Sequence, residues 1–241
     1  IGYTALMEKH WGEKEVTAGY LQKLKEAGNF LMDLIGNILE VARIESGKET
    51  LTETAWNLCN LEDTLDLLLD RDIYKKQLTL KKNMELQHPK VYCDVLKIQE
   101  ITMNLLSNAV KYTPEGGTIH FTIRELPYER EGYALFQTVV EDTGIGISKE
   151  YIPHLFEAFS REKSSSESGI IGTGLGLRIV KKFVDLMEGS IVVESEIGKG
   201  TRFTVTIPHR IATANEYISE ENAKEFRRNN IKQCEDFTRR R

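Results

Sequence analysis

A seam of apolar residues, spaced alternately three and four apart, runs through residues 16 to 46 and then stops. Leu21, Leu24, Leu31, Ile35, Ile38 and Ala42 hold it, with Gly28 filling one register position. This spacing keeps one side of a helix apolar over many turns, so the segment reads as a long helix that needs a partner along that side. The pattern ends at Ser46-Gly47-Lys48, where a glycine can take the left-handed conformation that closes a helix. Ile1 to about Trp11 reads as the end of an earlier helix, joined to the long one by the polar turn Gly12-Glu13-Lys14. Residues 1–48 are therefore expected to form a helical hairpin. A hairpin alone cannot bury such a seam. The simplest solution is a homodimer in which two hairpins pack as a four-helix bundle; the alternative is that the hairpin folds back on its own globular part.

After Gly47 the texture changes. Short strand-like runs, Leu78 to Leu80, Thr118 to Ile123, Leu135 to Val140, Ser190 to Val193 and Phe203 to Ile207, are separated by helical patterns. They do not alternate one-for-one with helices, so a mixed sheet with helices on one face fits better than a doubly wound sheet. Residues 50–209 are expected to form this two-layer α/β sandwich of the α+β class, followed over 210–241 by a polar linker ending Arg239-Arg240-Arg241. With 241 residues and 40% hydrophobic content the chain can bury a substantial core. A net charge of -5 argues against nucleic acid as a partner. Cys59, Cys93 and Cys234 lack metal-ligand spacing and read as reduced thiols. No apolar run reaches the roughly 20 residues that span a bilayer, so a cytoplasmic segment without membrane contact is expected, whether or not the parent protein is anchored.

Three elements carry chemistry. The first is a helix predicted from Asp94 to Lys111, with Asp94 as its N-cap. Ile98, Ile101, Leu105 and Ala109 form its apolar side, while Glu100, Asn104, Asn108 and Lys111 fall on a stripe about 80° wide. A merely wet face would favour strong helix formers, and asparagine is not one. Short amides on one face suit a ligand rich in oxygens: an amide oxygen can bind Mg²⁺, and Lys111 supplies a point charge for phosphate. The second is Val139-Val140-Glu141-Asp142-Thr143-Gly144-Ile145-Gly146-Ile147, a strand ending in an aspartate and two glycines. Such a carboxylate can accept from an exocyclic amine, as an adenine pocket requires, and the glycines let backbone approach a flat ligand; a tight turn with a capping aspartate is the plainer alternative. The third is Gly169-Ile170-Ile171-Gly172-Thr173-Gly174-Leu175-Gly176-Leu177, leading into an amphipathic run. Consecutive amides at a glycine-rich helix start form an anion nest. The glycine spacing matches neither a dinucleotide fingerprint nor a Walker A loop, and the serine-rich stretch before Gly172 has the composition of a lid.

Together these segments resemble the N, G1 and G2 boxes of sensor histidine kinases. Asn104 to Thr113 looks like the N box, Glu141 to Ile147 like G1, and Gly172 to Leu177 like G2; Phe156-Glu157-Ala158-Phe159 is similar to the F box and Gly198 to Phe203 to the last glycine motif. The resemblance implies Asn104 as the Mg²⁺ ligand, with Glu100 as the acidic helper to metal or base. It also implies ATP held by Asn108, Lys111, Tyr112, Asp142, Gly144, Gly146, Ile147, Phe156, Phe159, Arg161, Gly172, Thr173, Gly174, Leu175, Gly176, Leu177 and Thr201. In this family a helical dimerisation hairpin precedes the ATP-binding domain, and phosphate passes from a histidine to the receiver domain of a response regulator.

One departure from the family pattern matters most. The phosphoacceptor motif has the form His-(Glu/Asp)-x-x-(Thr/Asn)-Pro, and none of His10, His88, His120, His154 and His209 stands in it. Ile1-Gly2-Tyr3-Thr4 resembles the stretch just C-terminal to that motif, so the acceptor is expected just upstream of Ile1 and the fragment is expected not to autophosphorylate. Other readings remain. Asp142-Thr143-Gly144 has the form of an aspartic protease motif, although that leaves the asparagine stripe and the glycines unexplained. A non-catalytic ATP-sensing scaffold or phosphatase-biased member is a second, and an ATPase of the gyrase or mismatch-repair type, supported by Glu100, is a third.

Overall fold

In the computed structural model, residues 2–47, 49–160 and 173–213 are described. Helix α1 (Gly2–Lys9) and helix α2 (Lys14–Glu45) form the hairpin. Beyond them come β1 (Thr54–Asn57), α3 (Asn60–Lys75), β2 (Thr79–Glu85), β3 (Lys90–Cys93), α4 (Val95–Tyr112), β4 (Thr118–Leu126) and β5 (Tyr133–Asp142), then a 3-10 turn at Ile152–His154, α5 (Gly176–Leu186), β6 (Ser190–Glu196) and β7 (Gly200–Ile211). The strands lie in one sheet in the order β1-β3-β7-β5-β4-β2, with β6 also paired to β7. Only β2 and β4 among these pairs run parallel. This is the mixed sheet expected from the sequence. Its last strand runs past 209 to Ile211, which pairs with Val91; the polar stretch from 214 on lies outside the described residues.

Alternation decides which face is covered. On β4, Ile119, Phe121 and Ile123 are buried; on β5, Ala134, Phe136 and Val140; on β7, Phe203, Val205 and Ile207. The register places these on one face, with Phe121 opposite Val140 and Val140 opposite Phe203. Leu61 and Leu65 of α3, Leu105 of α4 and Phe183 of α5 join them in one core. Burying a side chain the size of Phe121 or Phe183 contributes roughly 1.5–3 kcal/mol. The other face carries polar groups: Arg124 donates to Gln137, and Arg202 pairs with Glu141 at 2.8 Å.

The hairpin meets the sandwich along one flank only. Val41 and Ile44 pack on the core, Asn37 donates to Thr173 at 3.3 Å, and Glu45 pairs with Arg178. Lys97 Nζ lies 2.9 Å from Glu40 and 2.8 Å from Glu49, and 4.2 Å from the Phe183 ring centroid. Folding back therefore accounts for the last third of α2. The seam itself is left open: Leu21 and Leu31 are each 55% exposed, Ile35 46% and Ile38 43%. His10 sits in the α1–α2 turn beside Glu13 at 3.1 Å.

Candidate functional site

Helix α4 starts where Asp94 accepts from the Lys97 amide at 3.2 Å, while its other carboxylate oxygen takes the Thr52 amide at 2.9 Å. Ten of its residues are buried, among them Gln99, Thr102, Met103 and Val110, which flank the polar stripe. Glu100, Asn104, Asn108 and Lys111 are themselves half-buried, so the stripe is not a fully exposed face. Asn104 Nδ2 donates to the Glu100 carbonyl at 3.0 Å, which turns the amide oxygen the other way. A Cβ added to Gly176 would stand 2.8 Å from that oxygen. The glycine is what lets the start of α5 close on α4, so the first and third sequence elements meet although they lie far apart in the chain. The Glu100 carboxyl is held above its usual range first by burial and then by the neighbouring Glu40 carboxylate, with Lys97 pulling the other way.

Asp142 forms the floor. It is 7% exposed, and its Oδ1 accepts from the Gly144 amide at 2.7 Å. Burial pushes its pKa up to about 6, against the lowering by the Gly144 and Thr201 amides. A Cβ on Gly144 would stand 2.7 Å from the Tyr112 carbonyl. Gly146 has φ +71°, and a Cβ there would stand 2.0 Å from the Glu196 carbonyl. The second element is thus wedged between α4 and the β6–β7 turn with no room for side chains. Sequence reasoning missed Ser195, whose hydroxyl takes the Ile147 amide and reaches the Gly200 carbonyl and Thr201 Oγ1, all at 2.8 Å. A serine in a strand gives no local sign of that role.

The remaining predicted residues are placed unevenly. Lys111 Nζ lies 5.0 Å from the Tyr112 ring centroid. Phe156, Ile147 and Leu177 pack against the core, and Leu175 is 1% exposed, its amide donating to Thr173 Oγ1 at 3.4 Å. Phe159, at φ +60° and 60% exposed, donates its amide to the Gly174 carbonyl at 3.1 Å, which ties the F box to G2. Gly174 itself has φ +70°. Arg161 and Gly172 lie outside the described residues. Among the described residues no cluster of His, Cys, Asp and Glu has the makings of a multi-carboxylate or thiolate metal centre, so a cation here would rest on the Asn104 amide oxygen and on oxygens that the ligand brings. Cys93 is buried, and burial drives its thiol well above the ordinary range.

Comparison with known proteins fits this geometry. The family model of histidine kinase-, DNA gyrase B- and HSP90-like ATPases matches residues 93–211. Hybrid signal transduction histidine kinase B of Dictyostelium discoideum is 36% identical over 191 residues, which is 78% of this chain and 10% of that protein. The sensor protein GacS of Pseudomonas syringae pv. syringae is 35% identical over 212 residues, 86% of this chain and 23% of that protein. The crystal structure of full-length ShkA in complex with AMPPNP superposes with a TM-score of 0.68 at 26% identity, covering 82% of this chain and 40% of that one. The chain carries the catalytic ATP-binding domain of a sensor histidine kinase, and spans well under half the length of these relatives.

Proposed function

We propose that residues 50–209, extended by the end of β7, bind Mg-ATP and donate its γ-phosphate to a histidine that this chain does not contain, as the catalytic part of a two-component kinase. The observation that carries this reading is the closure of Gly176 onto Asn104 beside the Asp142 floor. In this arrangement Asp142 accepts the adenine amino group, Gly144 and Gly146 let the ring lie close, and Tyr112 packs along it. Asn108, Lys111, Arg161 and the amides of Thr173, Gly174 and Gly176 hold the phosphates. Mg²⁺ on Asn104 would neutralise charge on the transferred group. The protein's work is alignment: an in-line attack needs the γ-phosphate held still and its charge countered. Residues 1–48 form a homodimer through the open seam, and phosphate then passes from the histidine to a response regulator receiver domain in the cytoplasm.

The preceding helical hairpin and the F box speak against the gyrase-like reading. A protease dyad leaves the approach of Gly176 to Asn104 unexplained. Titration with a fluorescent ADP analogue should show saturable binding that Mg²⁺ strengthens. Incubation with γ-labelled ATP should leave no acid-labile phosphate on this chain. Absence of nucleotide binding refutes the kinase reading, and a phosphohistidine on the chain refutes an acceptor elsewhere.

A further inference from the structure

The last turn of α4 carries Asn108, Lys111 and Tyr112, and its four terminal carbonyls have no partner within the helix. All four find one outside it. The Ala109 carbonyl accepts from Thr113, by the amide at 2.9 Å and the hydroxyl at 2.6 Å. The Val110 and Lys111 carbonyls accept from a single group, the Lys76 ammonium, at 2.7 and 2.8 Å. The Tyr112 carbonyl accepts the Ile145 amide at 3.3 Å. Lys76 also reaches the Thr113 carbonyl at 3.0 Å. An ammonium has three N–H donors around one nitrogen, and here each meets a carbonyl.

The lysine is delivered by a fixed loop. It comes directly after α3; Gln77 then takes φ +52°, and the Leu78 amide returns to the Ile73 carbonyl at 3.0 Å. The Lys76 carbonyl in turn accepts from the Gly116 amide at 3.0 Å. Pro114 stops α4 from supplying further partners of its own. Burial pulls the Lys76 pKa below the ordinary lysine value, with the nearby Asp72 carboxylate pulling the other way.

We propose that Lys76 is a positioning residue of the nucleotide pocket: by gripping the carbonyls on either side of Tyr112 it aims the Tyr112 carbonyl at Ile145 and sets the gap between the α4 wall and the Asp142 floor. The proposal rests on the ATP-site reading for its effect on ligand, though not for its effect on Ile145. Gly144 lies against that same carbonyl, so a tilt of the last turn moves the second element with it.

Lys76→Met and Lys76→Arg, made in the full chain, test this. The methionine keeps the apolar stem and removes all three donors, whereas a planar guanidinium can satisfy at most two of the carbonyls. In Lys76→Met, hydrogen exchange at the Ile145 amide should speed up about tenfold while that of Val140, held in the sheet, is unchanged. Adenosine and ADP should both lose about tenfold in affinity, equivalent to roughly 1.4 kcal/mol; Lys76→Arg should fall between it and the parent. Equal loss for the two ligands places the effect at the adenine end rather than at the phosphates. Unchanged Ile145 exchange and unchanged adenosine affinity in a folded Lys76→Met chain overturn the proposal; if that variant does not fold, the same result in Lys76→Arg does. A parent chain that binds neither ligand removes the nucleotide reading alone, and Ile145 exchange still decides the role of Lys76.

Discussion

The proposed contact of Asp142 with adenine can be checked directly through pH. Its carboxyl titrates at about 6 because burial outweighs the two amides that favour the charged form. The ionised carboxylate is the stronger acceptor for an exocyclic amine, so affinity should track the ionised fraction of the empty site. At pH 8 that fraction is close to one; at pH 5, one unit below the titration point, it is roughly one eleventh, so affinity should fall about tenfold, or roughly 1.4 kcal/mol. An ordinary aspartate would be ionised over this whole range and give a flat profile. Adenosine is the ligand to use, since it has no phosphate of its own to titrate. Competition against a fluorescent analogue at pH 8, 7, 6 and 5 gives the curve, and Asp142→Asn should bind more weakly at pH 8 with no slope. A parent profile that is level between pH 7 and 5, or an asparagine variant with the same slope, would refute the reasoning.

The geometry carries three further outcomes. Gly146→Ala combines a left-handed φ with a Cβ 2.0 Å from the Glu196 carbonyl, so urea unfolding should show a loss of more than about 2 kcal/mol; a loss below about 0.5 kcal/mol would mean the loop relaxes freely. His209 is 4% exposed, and burial holds its pKa down at about 4. Because that lies below the unfolded value of about 6.5, the unfolded chain binds the extra proton and stability drains away as pH falls from 6.5 toward 4. Relative to His209→Gln, the parent should lose about 2.5 kcal/mol between pH 7.5 and 4.5, a difference that cancels the opposite trend of Asp142; equal slopes in the two chains would exclude it. Finally, Leu31→Lys with Ile35→Lys should convert a dimer to monomer in sedimentation experiments without altering nucleotide affinity, and a persistent dimer would move the interface off the seam.

The parts of the fold that were legible from sequence are those whose signal is local. Asp94 caps α4 where predicted, and the cores of β4, β5, β6 and β7 lie on the alternating runs, whereas the run Leu78 to Leu80 marks only the start of β2. Strands β1 and β3 give no such signal, because four residues such as Thr54–Asn57 and Lys90–Cys93 are too short to show a period of two. The stripe on α4 could be read as a set of side chains but not as a groove, since that depends on Gln99, Thr102 and Met103 being covered from both sides. Ser195 and Lys76 were invisible for a related reason: Ile147 is 48 residues from the one and Val110 is 34 from the other, and neither residue type announces such a partner. The glycines were the opposite case. Their spacing marked close approaches correctly, but only the fold shows that Gly176 makes room for Asn104 and Gly144 for Tyr112.

Helix α2 has 32 residues, yet its bonds to the sandwich begin only at Asn37. Within a single protomer, the stretch from Lys14 to there is therefore a cantilever about 35 Å long, fixed at one end. A tilt of about 5° at the fixed end, well within what a few re-formed contacts allow, sweeps the far tip by about 3 Å. Movements too small to notice beside Thr173 and Arg178 thus become displacements as large as a hydrogen bond at the α1–α2 turn, and any torque applied to that turn arrives back beside Thr173 geared down in distance and multiplied in force.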